Sequence, residues 1–497
     1  MNIRFLHTCP VFARCPGRHR RGRVSSITLA IAFAVVVLSG SALAGAGSGT
    51  AVVLPSDDVV AGSQGTWSFL YIADEPFSGG TMELVIADDW TPPQQGDAAA
   101  AGYVSVVPDT LGISIAAMVI TVSVDTMSIG DTVTVVYGDT SGASTGRATA
   151  QTLAQESVVF EVRSDPLGAA ALPIAASPAL RVVAAQIDDI VFITPLRMFT
   201  AGGESDVMVV RTEDAFGNPK AVDSNQEIGL QSSSTDGQFS HLGGGDFSET
   251  DSVTILAGED TVSFYYRDTK AGIHTITADA AGQPWSDAQQ IIVEAAEPFR
   301  LVASPGDTLV DAGEYVLYGI SIEDAYGNPS PVQSDVEVSL VSFGAGSFYR
   351  VADTTQTDTV MIRSGEQYRE VYYRGTVKDL SGYQLFFMDT DGSPPALETS
   401  IALITIDHNV LSVFVSDLAV DTDTVVANGV DEVEVTVTAA DTFGNGIDSS
   451  TVVLSATDTG GGNVYDQPGL TGVDGVAVGR VRSTVAEDKW VRASAGG

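Results

Sequence analysis

The chain has 497 residues, with 63 acidic side chains against 24 basic ones and two cysteines. A formal charge of -39 argues against nucleic acid or anionic lipid as a partner, because both require a cationic face. A hydrophobic content of 44% is not that of a disordered chain, and the length predicts several folded domains.

The first 44 residues read as a secretory signal peptide. Arg14, Arg18, Arg20, Arg21 and Arg23 form a basic region, Ile27 to Leu38 an apolar stretch, and Ala42-Leu43-Ala44 a small-x-small cleavage pattern. The apolar run is short for a membrane span, which needs ~20 residues, although an uncleaved anchor is the alternative. The segment contains six arginines and no acid, so cleavage leaves 18 basic against 63 acidic residues, a charge of -45. Cys9 and Cys15 leave with it. The mature chain then has neither a disulfide nor a thiolate ligand, and no second membrane span is expected in it.

After the signal, the sequence reads as strands. Runs such as Thr66–Ile72, Thr81–Ile86 and Asp131–Tyr137 are short, β-branched and aromatic, and are punctuated by Gly, Asp, Ser and Pro. Residues 45–180 read as one β-rich domain with a linker, in which 166–180 is a joint or final-strand approach. Beyond it a motif repeats: Asp214-Ala-Phe-Gly217-Asn218, Asp324-Ala-Tyr-Gly327-Asn328 and Asp441-Thr-Phe-Gly444-Asn445, spaced by 110 and 117 residues. Pro195 and Pro305 each precede the motif by 19 residues, and Phe264-Tyr-Tyr-Arg267 matches Val371-Tyr-Tyr-Arg374. About seven strands can be read in the second domain: 190–194, 207–211, 227–231, 252–256, 261–267, 273–278 and 289–293. The expected fold is therefore all-β, a tandem of immunoglobulin-like sandwiches over 181–295, 296–408 and 409–497. The motif itself reads as a turn, with Gly at positive φ, Asp bonding turn amides, and the aromatic folding back onto its own sandwich.

These residues carry a resemblance. Val426-Ala-Asn-Gly429-Val-Asp431, followed by the alternating run to Asp441-x-Phe-Gly-Asn445 and by Gly475-x-Ala-x-Gly, resembles the bacterial immunoglobulin-like domains of the invasin/intimin type. The middle repeats resemble more distant members of that class. Gly65-Thr-Trp67-Ser-Phe69 and Tyr137-Gly-Asp139 resemble an N-terminal β-domain that precedes such modules in large secreted bacterial proteins, some of which carry a metallohydrolase downstream. The resemblance implies a non-catalytic secreted or cell-surface stalk of adhesin type, whose partner is a protein or glycan on another surface. The alternative it implies is the accessory N-terminal region of a larger secreted hydrolase. It carries over no catalytic residue, and it implies one more closing strand after Gly497, so the fourth repeat reads as truncated.

Catalytic signals are weak. Gly142-Ala-Ser144-Thr-Gly146 has the serine-hydrolase spacing but lies in a small-residue loop, without the strand-to-helix elbow that the motif needs. His241, His274 and His408 share no metal-ligand spacing, and His274 reads as a solvated or capped side chain. No catalytic, cofactor-binding or metal residue is assigned. Structural calcium has candidates in Asp421/Asp423, Asp389/Asp391, Glu213/Asp214 and Glu323/Asp324, with a solvated acidic face as the simpler reading. Tyr265, Tyr266, Tyr372 and Tyr373 are the aromatics to consider for glycan, with one of each pair expected in the core. Intact mass of protein recovered from the medium should place the N-terminus at or near Gly45; a start at Met1 would refute cleavage.

Overall fold

A computed structural model of the chain describes residues 47–496, apart from 142–144, 245–246, 248–250 and 391–395. The proposed signal peptide and the centre of the Gly142–Gly146 motif therefore lie outside the described residues. Among the described residues there is no α-helix, and none is long and apolar enough to cross a membrane. The fold is a tandem of immunoglobulin-like β-sandwiches with four separate apolar cores.

The first core gathers Trp67, Phe69, Trp90, Tyr137 and Phe160 between a four-stranded and a five-stranded sheet. Trp67 and Trp90 meet edge to face at 4.8 Å, and the Trp90 indole donates to Gln151 Oε1 at 3.2 Å, which satisfies its one buried polar atom. Residues 166–180 hold the strand Leu172–Pro173 and the start of a second, Ala179–Val183. The second of these pairs in parallel with Val59–Val60.

Among the described residues the second sandwich has nine strands. One sheet orders Ile187–Phe192, Met208–Asp214, Thr261–Arg267 and Gln238–Ser240. The other orders Arg197–Thr200, Ser286–Glu294, Gly272–Ala280, Gln226–Ser232 and Ser252–Ile255. All seven strands read from the sequence are present. The two additional ones, Arg197–Thr200 and Gln238–Ser240, are too short to show a period. The third sandwich repeats this plan, with its closing strand Ser400–Asp407 lying between Asp379–Asp389 and the parallel edge strand Asp307–Asp311.

The fourth sandwich differs. Its first sheet has four strands, Asp417–Val420, Glu432–Thr438, Val476–Ser483 and Asn463–Asp466. Its second sheet has two, Thr451–Ala456 and Val491–Gly496. By order and pairing, Val491–Gly496 corresponds to Gly272–Ala280 and Asp379–Asp389. No counterpart of the closing strands Ser286–Glu294 and Ser400–Asp407 occurs among the described residues.

Four separate cores should unfold separately. Trp90→Ala removes a buried indole and should cost the first sandwich about 3–5 kcal/mol. Calorimetry should show one transition moving down while those of the other sandwiches stay in place.

Candidate functional site: a joint built three times

The repeated Asp-x-aromatic-Gly-Asn segment begins where a strand of the second, third or fourth sandwich ends. The Asp side chain organises the turn. Asp214 Oδ1 accepts the amides of Phe216 and Asn218, both at 2.9 Å, and Asp324 and Asp441 do the same for Tyr326 and Asn328 and for Phe443 and Asn445. The glycine between adopts φ of +82° to +90°, which a side chain would strain. Oδ2 faces the connecting segment and accepts the amide of Ala185, Ala296 or Asn409 at 2.7–2.9 Å. The same Oδ2 accepts the carboxamide N–H of the motif Asn at 2.8 Å in all three turns.

Sequence reasoning missed where this Asn points. Its second N–H donates to a carbonyl of the preceding sandwich: Asn218 to Thr152 at 2.7 Å, Asn328 to Thr269 at 2.8 Å, and Asn445 to Thr376 at 2.9 Å. Its Oδ1 accepts, each at 2.8 Å, the amide of Ala154, Ala271 or Lys378, two residues beyond that carbonyl. Each amide group thus spends two donors and one acceptor, and is buried. Asp could not replace Asn there, because it would present a carboxylate to a carbonyl oxygen.

The aromatic also crosses the joint, instead of folding back onto its own sandwich as the turn pattern suggested. A Cβ added to Gly62, Gly202 or Gly313 of the preceding sandwich would lie within 2.5 Å of Phe216, Tyr326 or Phe443 respectively. Each of these glycines has positive φ. Each donates its N–H to the carbonyl just before the Thr, namely that of Gln151, Asp268 or Gly375, at 3.0, 2.7 and 2.7 Å. The receiving half of the joint is therefore a socket: a bare glycine beside a Thr carbonyl and the amide two residues further on. Each socket glycine follows an alanine, at 61–62, 201–202 and 312–313, but Ala-Gly also occurs elsewhere, so the pair by itself does not mark the socket.

The third joint carries extra contacts. Arg374 donates to Gly313 O at 2.7 Å and lies over the rings of Tyr315 and Phe443 at 5.2 and 5.9 Å. Asn409 Nδ2 donates to Ala312 O at 2.7 Å. Asp407, His408 and Asp448 converge there within 4.8 Å, a group the isolated reading of His408 did not reveal. The Lys378 ammonium stands 2.7 Å from Asp448 and 3.3 Å from Asp407 and supplies the positive charge between them. Burial acts to lower the Lys378 pKa, and its bonds to Asp448 and Asp407 reverse that and raise it.

The remaining candidates fall elsewhere. Asp214 and Asp324 are filled with N–H donors, and their neighbours Glu213 and Glu323 pair with Arg211 and Arg300. Asp421 accepts the Glu434 amide and Asp423 the Thr424 hydroxyl. Asp389 accepts the Leu397 amide, while Asp391 lies outside the described residues. Tyr266 and Tyr373 are in the core and Tyr265 and Tyr372 half-buried, the alternation expected of strands. His274 is capped and buried, not solvated: Nε2 sits 2.8 Å from Lys270 O, while His241 is exposed.

Residues 415–497 match the model of the bacterial Ig-like domain, group 1. That match covers the fourth sandwich. Among solved structures, it is similar to invasin, a bacterial integrin-binding protein, at 14% identity and a TM-score of 0.32 over 61% of this chain and 56% of that one. It is similar to the Escherichia coli adhesin FdeC at 16% identity and 0.29, over 73% and 98%, and to Yersinia pseudotuberculosis InvD at 13% and 0.32, over 71% and 96%. The chain thus spans just over half the length of that invasin. No curated protein matches it.

Burial raises the pKa of Asp214, Asp324 and Asp441, but the donated hydrogen bonds outweigh it and hold all three below the ordinary 3.8. The stabilisation is complete above 3.8 and is lost as pH falls through the depressed value. Amide exchange at Ala271 should therefore stay slow and nearly constant at neutral pH, after correction for intrinsic rates, and lose its protection in acid. Asn328→Ala should release Ala271 at neutral pH and cost the joint about 1–3 kcal/mol. Unchanged protection in that variant would refute the joint.

Proposed function

We propose that the protein is a non-catalytic, secreted or cell-surface stalk of adhesin type that spaces or presents binding parts. The observation that carries this reading is the joint. The same set of bonds couples each sandwich to the next three times over, whereas contacts between domains of one chain are by default loose enough to permit motion. Repeating one stiff connection suits a part that holds others at a distance. The partner is a protein or glycan on another surface, and the units fall at about 45–180, 181–295, 296–408 and 409–497.

The acidic surface fits an exposed location. With 63 acidic and 24 basic side chains, the folded chain repels itself and other anionic proteins, which favours a soluble, unaggregated state.

The reading is tested on cells that produce the protein. Protease added outside intact cells should remove it from the cell surface, or antibody should find it in the medium; retention inside unbroken cells would refute it. Limited proteolysis separates the joint from its surroundings. Wild-type chain should resist cleavage at 184–186, and a double variant, Asp214→Ala with Asn218→Ala, should be cut there at least about tenfold faster.

A further inference from the structure

Among the described residues the elements of the socket occur four times, and the turn that fills it three times. The three occupied sockets read Gln151-Thr152-x-Ala154, Asp268-Thr269-x-Ala271 and Gly375-Thr376-x-Lys378. At the same place in the fourth sandwich, where Val476–Ser483 ends, stands Ser483-Thr484-x-Ala486. The glycine is there as well. Gly429 has φ of +76° and donates to Ser483 O at 3.1 Å, as Gly62, Gly202 and Gly313 donate to Gln151, Asp268 and Gly375. Among the described residues nothing bonds the Thr484 carbonyl or the Ala486 amide. Val430 and Trp490, at this end, are each 76% exposed.

We propose that this end of the fourth sandwich is a fourth socket, which receives the Asp-x-aromatic-Gly-Asn turn of another immunoglobulin-like module. The Asn carboxamide of that module donates to Thr484 O and accepts from the Ala486 amide, and its aromatic ring lies on Gly429. A second copy of this chain is not the occupant through its own turns, because all three are seated in sockets already. One difference locates what must be ordered with it. Ala61, Ala201 and Ala312, beside the three socket glycines, donate to the last strand of their sandwich at Val183, Glu294 and Asp407, whereas Asn428 donates to Val426. In the three occupied joints the last strand of the sandwich, Ala179–Val183, Ser286–Glu294 or Ser400–Asp407, therefore forms part of the joint.

The inference rests on the joint geometry and not on surface location, so the two fail separately. The test uses the full chain lengthened after Gly497 in two ways: by a copy of residues 391–408, which supplies a closing strand and connector alone, and by a copy of 391–497, which adds a module with its own turn. Exchange of the Ala486 amide should be at least about tenfold slower in the second than in the first. Asn445→Ala in the appended copy should abolish the difference. Phe443→Ala there should reduce it, at a half-exposed position that leaves the module folded. Equal exchange in the two lengthened chains would overturn the proposal, as would protection that persists in both variants.

Discussion

A buried carboxylate and a buried carboxamide, four residues apart, hold the arrangement of this protein together. Neither can be taken out of water without partners, since each unpaired group would cost more than a typical hydrogen bond returns. The chain meets that requirement by drawing the partners from three places. The turn supplies two amides, the connecting segment one, and the preceding sandwich a carbonyl and an amide. Satisfying the pair therefore fixes the turn, the path of the connection and the position of the neighbour at once. Bending the joint leaves several buried polar groups unpaired together, so the cost rises as a step and not gradually.

Much of the fold was legible because strands announce themselves by alternation. The run Thr261–Arg267 was read to the residue, and Tyr265 and Tyr266 fall on opposite faces as period two requires. Arg197–Thr200 escaped because a four-residue edge strand paired in parallel has no long run to display. The candidate site was half legible. Glycine at positive φ and Asp accepting turn amides follow from residue chemistry. The outward role of Asn218 and Phe216 does not, because their partners, Thr152 and Gly62, lie 66 and over 150 residues earlier in the chain. A local motif states how it folds; only its coincidence with a second motif elsewhere states what it touches.

The three joints share a core and differ at the margins. Thr152, Thr269 and Thr376 offer backbone carbonyls, so the side chains around them are free to vary, and they do. The third joint uses that freedom: Lys378 replaces Ala154 and Ala271 and places an ammonium between Asp407 and Asp448. In a chain with so few cations, a lysine here offsets repulsion between two carboxylates that the joint itself brings together. Arg374 acts alike, holding Gly313 O and covering the rings on both sides of the contact.

Backbone partners also explain how one connection can serve sandwiches of such different content. The first core is built around Trp67 and Trp90, and the third has no tryptophan among its buried residues, yet both present the same glycine, carbonyl and amide at one end. A socket made of side chains would have to be conserved residue by residue in every unit. A socket made of backbone needs only a glycine with positive φ and a strand that ends beside it. The sequence burden then falls on the inserted turn, where Asp, an aromatic, Gly and Asn have fixed tasks. Such a joint can be repeated along a chain while the faces of each sandwich change, which separates the part that spaces from the part that binds.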